Sequence, residues 1–111
     1  MMHQPIPTVT PADVDRVIRR DFGITMFDRV TAELAEFGSE NPSRVRLAIL
    51  KLAAGDIEAL HKYVKVANED WRDVIAWAEY PQYMSHLPVP PALESEIISG
   101  DWNQYQDWLN R

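Results

Sequence analysis

Apolar residues recur every three or four positions through nearly all of this chain, the spacing of one face of an α-helix, and Gly or Pro stands at most joints. No stretch alternates convincingly in the manner of a strand. The pattern predicts an all-α fold, a compact bundle of six or seven short helices. Its centre is the segment from Pro42 to Ala54. Eight of the ten residues from Val45 to Ala54 are apolar. At about 100° per residue they cover almost the whole circumference and leave a narrow strip with Arg44 and Lys51. A helix apolar all round belongs inside a bundle. One charge breaks the arc: Arg46 projects between Ala53 and Leu50.

The other elements follow from caps and periodicity. Residues 1–9, with Pro5 and Pro7, read as an extended arm, and 10–111 as one helical domain. Thr10 is placed to cap a first helix, with Pro11 at its first position and Asp13 three residues after the cap, and Gly23 ends it. Thr25 is expected to cap a second helix lined by Phe27, Val30, Leu34 and Phe37 and closed by Gly38. Gly55-Asp56 is a joint in which Gly turns the chain and Asp caps a helix from Ile57 to about Ala67. Asp70 caps the next, with Trp71, Val74, Ile75 and Ala78 facing in, until Pro81 forbids continuation past Tyr80. Residues 81–90 are expected to form a long irregular loop. A helix from Ala92 to Ser99 and a last helix carrying Trp102, Tyr105, Trp108 and Leu109 are separated by a second Gly-Asp joint, Gly100-Asp101.

Charge sharpens this picture. The net charge is −6. Residues 1–62 hold eight Lys/Arg against nine Asp/Glu, and residues 63–111 hold three against eight. All four Trp and all four Tyr lie in that acidic second part. Phosphate-rich partners are repelled from such a surface. The chain has no Cys, hence no disulfide framework or thiolate site. No run approaches a membrane span, and the first residues lack a signal-peptide pattern, so the cytoplasm is the default expectation.

From Arg46 to Asp56 the chain reads Arg-Leu-Ala-Ile-Leu-Lys-Leu-Ala-Ala-Gly-Asp, and from Asp70 to Pro81 Asp-Trp-Arg-Asp-Val-Ile-Ala-Trp-Ala-Glu-Tyr-Pro. This wording, over about residues 44–83, resembles a group of small bacterial helical proteins of uncharacterised function. The resemblance implies a bacterial helical domain and brings no activity with it.

Two constellations carry candidate chemistry. A buried Arg46 needs an anionic or carbonyl partner. It is either an anion anchor in an interhelical pocket, with Asp73 nearby, or a structural ion pair with Asp21 or Asp73, or a side chain that snorkels to solvent. Trp77, Tyr80 and Asp73 share one side of their helix, opposite Ile75, and Tyr83 follows beyond Pro81. With Trp102, Tyr105 and Trp108 they form either a partner interface, where Trp and Tyr are enriched, or a second aromatic core.

Other patterns are weaker. Glu58 and His61 have the Glu-x-x-His spacing of di-metal bundles, but no second copy exists, so no metal or cofactor is expected. Ser85 and His86 are neighbours in sequence only. No nucleophile elbow, phosphate loop or zinc-protease motif is present. Arg16, Arg19 and Arg20 form a small basic patch, but they alternate with Asp13, Asp15 and Asp21, and a pI of about 4.9 argues against a helix-turn-helix DNA reader. The expected function is therefore a small cytoplasmic protein-interaction or regulatory module without catalysis, acting on a partner protein or as a homo-oligomer. The alternative is a binder of small anions, or an enzyme, with a pocket near Arg46.

Overall fold

The protein was analysed as a computed structural model, which describes residues 5–35 and 42–111. The described residues form six α-helices: α1 (Pro11–Phe22), α2 (Phe27–Ala35), α3 (Pro42–Ala53), α4 (Ile57–Glu79), α5 (Pro81–Ser85) and α6 (Glu94–Leu109). Single 3-10 turns occupy Ile24–Met26 and Pro91–Leu93. No strand occurs among the described residues, so the fold is all-α.

The central helix lies where its composition puts it. Val45, Leu47, Ala48, Ile49 and Leu50 are completely buried in α3. It packs chiefly along α4 and on its other side against α1. The core continues through Val17 and Ile18 of α1, Val30 and Leu34 of α2, Leu60, Val64 and Val74 of α4, and Tyr105, Trp108 and Leu109 of α6. Each large aliphatic side chain so buried contributes about 1.5–3 kcal/mol.

Local chemistry explains the helix ends. Thr10 and Asp13 form a full capping box: the Asp13 N–H donates to Thr10 Oγ1, and the Thr10 N–H donates to Asp13 Oδ2 at 2.9 Å. Asp56 caps α4 by accepting from the Glu58 N–H at 3.0 Å. Gly55 sits at φ +80°, and a Cβ there would lie 2.8 Å from the Asp21 carbonyl oxygen. Backbone conformation and close approach to α1 thus both require glycine. Gly55→Ala is expected to lower stability by at least about 1–2 kcal/mol from the left-handed conformation alone, measured as a drop in urea midpoint at constant slope.

The structure departs from the sequence pattern at four places. The second helix begins at Phe27 behind a 3-10 turn, not at a Thr25 cap. The expected residues Phe37 and Gly38 lie outside the described residues. The two helices expected on either side of Asp70 run on as α4, bent where Asp70 takes extended angles (φ −155°, ψ 100°). Asp70 still acts as a cap, accepting from the Arg72 N–H at 3.1 Å. Trp71, expected to face in, is 42% exposed just after that bend. Residues 81–85 are helical rather than loop. Finally, α6 runs straight through Gly100-Asp101. Asp101 does not cap its own helix, because its carboxylate is committed to α5. Its two oxygens accept from the Gln82 and Tyr83 N–H groups at 3.0 and 2.9 Å.

Two arginines fasten the first helix to the last. Arg16 donates to the Leu109 carbonyl at 2.7 Å, and Arg20 to the Trp108 carbonyl at 2.7 Å. These are terminal carbonyls of α6 that lack partners within the helix, at its negative end. Arg19 lies 4.6 Å over the Phe27 ring. The basic residues of α1, read from sequence as a patch, are thus spent on internal contacts. No helix among the described residues is long and apolar enough to cross a membrane.

Candidate functional site

The aromatic second half of the chain divides into a buried and an exposed set. Tyr105 and Trp108 belong to the core at 1% and 6% exposure, rings 5.5 Å apart. Both rings, expected from sequence at a partner interface, are thus buried in the core, and Arg20 covers the Trp108 ring at 5.3 Å. Trp77 is 41% exposed and stands edge-on to Tyr63, ring centres 6.5 Å apart. Asp73, one turn before Trp77 on the same side of α4, is exposed and makes no hydrogen bond or ion pair among the described residues. Lys62 places its ammonium 5.2 Å over Tyr63. Tyr80 and Tyr83 are half-buried and meet edge-to-face at 6.4 Å.

Beneath Tyr80 lies a polar junction that the periodicity does not reveal. Arg44 forms a two-pronged ion pair with Glu79, at 2.8 and 2.7 Å, with Glu79 only 4% exposed. From sequence, Arg44 belonged to the solvent strip of α3. Only the packing of α4 against α3 brings the two together. Glu79, Tyr80, Asp101 and Tyr105 line one cleft with Ile98 and Trp102, and Pro5 and Pro7 of the arm lie across it. Trp102 is half-buried there. The Tyr105 hydroxyl is buried without a hydrogen-bond partner. Burial, and then the Glu79 charge, push its phenol well above the ordinary 10.0, and burial pushes Tyr80 up too. The folded state therefore favours the neutral phenols. That contribution is complete below pH 10.0, the unfolded value, and is lost above it as the unfolded chain ionises. Circular dichroism against pH is expected to show alkaline unfolding beginning near there. Tyr105→Phe is expected to move it upward.

Arg46 is half-buried, and its Nε donates to the Leu34 carbonyl at 3.2 Å. It edges a hollow of about 60 Å³ with Pro11, Val14, Asp15, Ile18, Thr31 and Leu34. Neither carboxylate expected beside it lines that hollow. Asp21 pairs with Arg20 at 2.9 Å, and Asp73 faces solvent on α4. Asp73, which sequence reasoning grouped with Arg46 as a ligand pair, does not line the hollow at Arg46.

A larger cleft, of about 680 Å³, was not found from sequence. Arg20, Asp21, Lys51, Ala54, Gln104, Asp107, Trp108 and Arg111 line it. Lys51 is half-buried, with no hydrogen bond or ion pair among the described residues. Burial first, and then the nearby Arg111, hold its amine below the ordinary range, while Asp101 opposes them.

The remaining candidates resolve into structural contacts. His61 meets Glu33 of α2 through Nδ1. His86 Nδ1 lies 2.7 Å from the Gln82 carbonyl, which can only accept, so that nitrogen carries the proton. Ser85 donates to the same carbonyl at 3.1 Å. Both groups finish α5, and a protonated Nδ1 cannot take a proton from the Ser85 hydroxyl. Among the described residues no three His, Asp or Glu side chains are grouped to hold a metal ion. In comparisons with known proteins, the chain matches no family model, no curated protein and no solved structure.

Proposed function

We propose that the protein is an interaction module that binds another protein through the outer face of α4. The observation that carries this reading is the pairing of Trp77, 41% exposed, with the exposed Asp73 one turn away. Large rings at the surface are the commonest energetic anchors of interfaces, and an adjacent carboxylate adds a preference for a cationic neighbour. Lys62 already rests on Tyr63 of this face, so a lysine or arginine of a partner finds the same chemistry. The partner is accordingly a segment with apolar and basic side chains.

A tagged chain used as bait tests this. A partner held at moderate salt is expected to be lost with Trp77→Ala and weakened with Asp73→Asn, while Arg46→Leu retains it. Bait proteins that capture the same set with and without Trp77 would overturn the reading.

The cleft at Lys51 supports a second reading, the binding of a small anion. Its volume falls in the usual range of ligand pockets, and Lys51 and Arg111 converge there. In thermal melts with inorganic phosphate, an anion at 100 times its dissociation constant adds about 2.7 kcal/mol of stability. Lys51→Gln is expected to abolish that gain. Equal melting with and without phosphate would count against this site.

A further inference from the structure

The cleft between the end of α4 and the middle of α6 already holds a peptide of defined chemistry. That peptide is the chain's own arm. Pro5 and Pro7 lie against Glu79, Tyr80, Ile98, Trp102 and Tyr105. Pro7 is buried, whereas Pro5 is exposed at the edge of the cleft and Ile6 between them is 62% exposed. Proline fixes φ near −65° and favours an extended residue before it, so Pro-Ile-Pro enters the cleft as an extended strand. Aromatic-lined grooves that take proline rings of extended segments are a recurrent mode of peptide recognition.

Three observations show that the arm is a replaceable occupant. Residues 5–9 make no hydrogen bond to the body among the described residues. The Tyr105 hydroxyl, buried in the wall of the cleft, has its donor unspent with the arm in place. Pro5 also borders a second hollow, of about 310 Å³, with Ile98, Ser99, Trp102 and Asn103. With Pro5 and Pro7 in place, the polar anchor of the groove is unused.

From this we infer that the groove between α4 and α6 is a docking site for an extended, proline-bearing segment of another protein, which displaces the arm. Each proline of such a segment brings a carbonyl acceptor and no competing N–H, and one carbonyl takes the Tyr105 hydroxyl. Trp102 and Tyr80 supply the walls for the rings. The arm then acts as an internal competitor that weakens binding by the fraction of time it occupies the groove. This site is distinct from the Trp77 face, and its test does not depend on that face.

The test is fluorescence anisotropy of a labelled eight-proline peptide titrated with the full chain. Pro7→Ser is expected to tighten binding about tenfold, the release from an arm that occupies the groove about nine-tenths of the time. Trp102→Ala is expected to abolish binding in either background. Tyr105→Phe removes an unpaired buried hydroxyl, so it is expected to be at least as stable as the parent in thermal melts and yet to bind the peptide several-fold more weakly. That opposition of stability and binding separates recognition from damage to the fold. Trp77→Ala is expected to leave peptide binding unchanged.

Four results would each overturn the inference. One is binding that is indifferent to Pro7→Ser. Another is equal binding of an eight-residue Gly-Ser peptide. A third is no saturable binding by the Pro7→Ser chain. The last is a chain that doubles its mass with rising concentration and loses that doubling with Pro7→Ser, which would make a second copy's arm the occupant.

Discussion

Arg44→Ala is expected to cost about 3–5 kcal/mol of folding stability, the range for breaking one side of a buried ion pair. Glu79 is 4% exposed and receives both prongs of the guanidinium. Removing Arg44 leaves a buried carboxylate without its counter-charge, and the neighbouring Tyr80 and Tyr105 can supply only neutral dipoles. The cost therefore comes from the desolvated charge left behind rather than from the strength of the pair itself. A double replacement, Arg44→Met with Glu79→Leu, removes both charges and fills similar volume, so it is expected to recover most of the loss. Urea unfolding of the two single variants and the double variant measures this. A single-variant cost below about 1 kcal/mol would place the pair among surface salt bridges and contradict its burial.

Asp101→Ala is expected to cost about 2–4 kcal/mol and to release α5 from the body of the protein. The 1% exposed carboxylate serves two backbone N–H groups, those of Gln82 and Tyr83, at the start of α5. A helix of five residues is far too short to persist without tertiary support, so this anchor decides whether it exists. Each N–H left unpaired in a partly buried place costs about 1–3 kcal/mol. Asp101→Asn keeps one acceptor oxygen and is expected to lose roughly half as much. Hydrogen exchange reads the effect locally: protection of the Gln82 and Tyr83 amides is expected to collapse in Asp101→Ala while α3 amides keep theirs. Unchanged protection at both amides would show that α5 is held by other contacts. Because α5 carries Tyr83 beside Tyr80, its release is also expected to disturb the wall of the arm cleft.

Much of the fold was legible because it rests on short-range rules. Thr10, Pro11 and Asp13 specify a helix start within four residues, and Asp56 after Gly55 specifies another. The burial of α3 follows from its composition alone, since no partner is needed to know that Val45 to Leu50 must leave water. The joint expected at Gly100-Asp101 failed because the same two residues admit two answers. Asp can cap its own helix or serve another backbone, and only the arrival of α5 decides between them. Trp71 fails similarly: its phase on the helix points inward, but the Asp70 bend leaves its ring at the margin.

The candidate sites were less legible. Asp73, Trp77 and Tyr80 share a helix side through periodicity, so their grouping could be read directly. Arg46 with Asp73, Arg44 with Glu79, and the arm with Trp102 all depend on how separate elements meet. Read from the chain alone were the all-α class, the first helix with its cap, the central place of residues 42–54 and the one-sided distribution of aromatics and acid, because each follows from composition or from neighbours about a turn apart. Tertiary structure alone decided which charges are paired, which rings are buried and where the proline arm lies. Those outcomes depend on contacts between residues far apart in the chain, such as Arg16 with Leu109 and Tyr83 with Asp101, whose free energies exist only once the helices have packed.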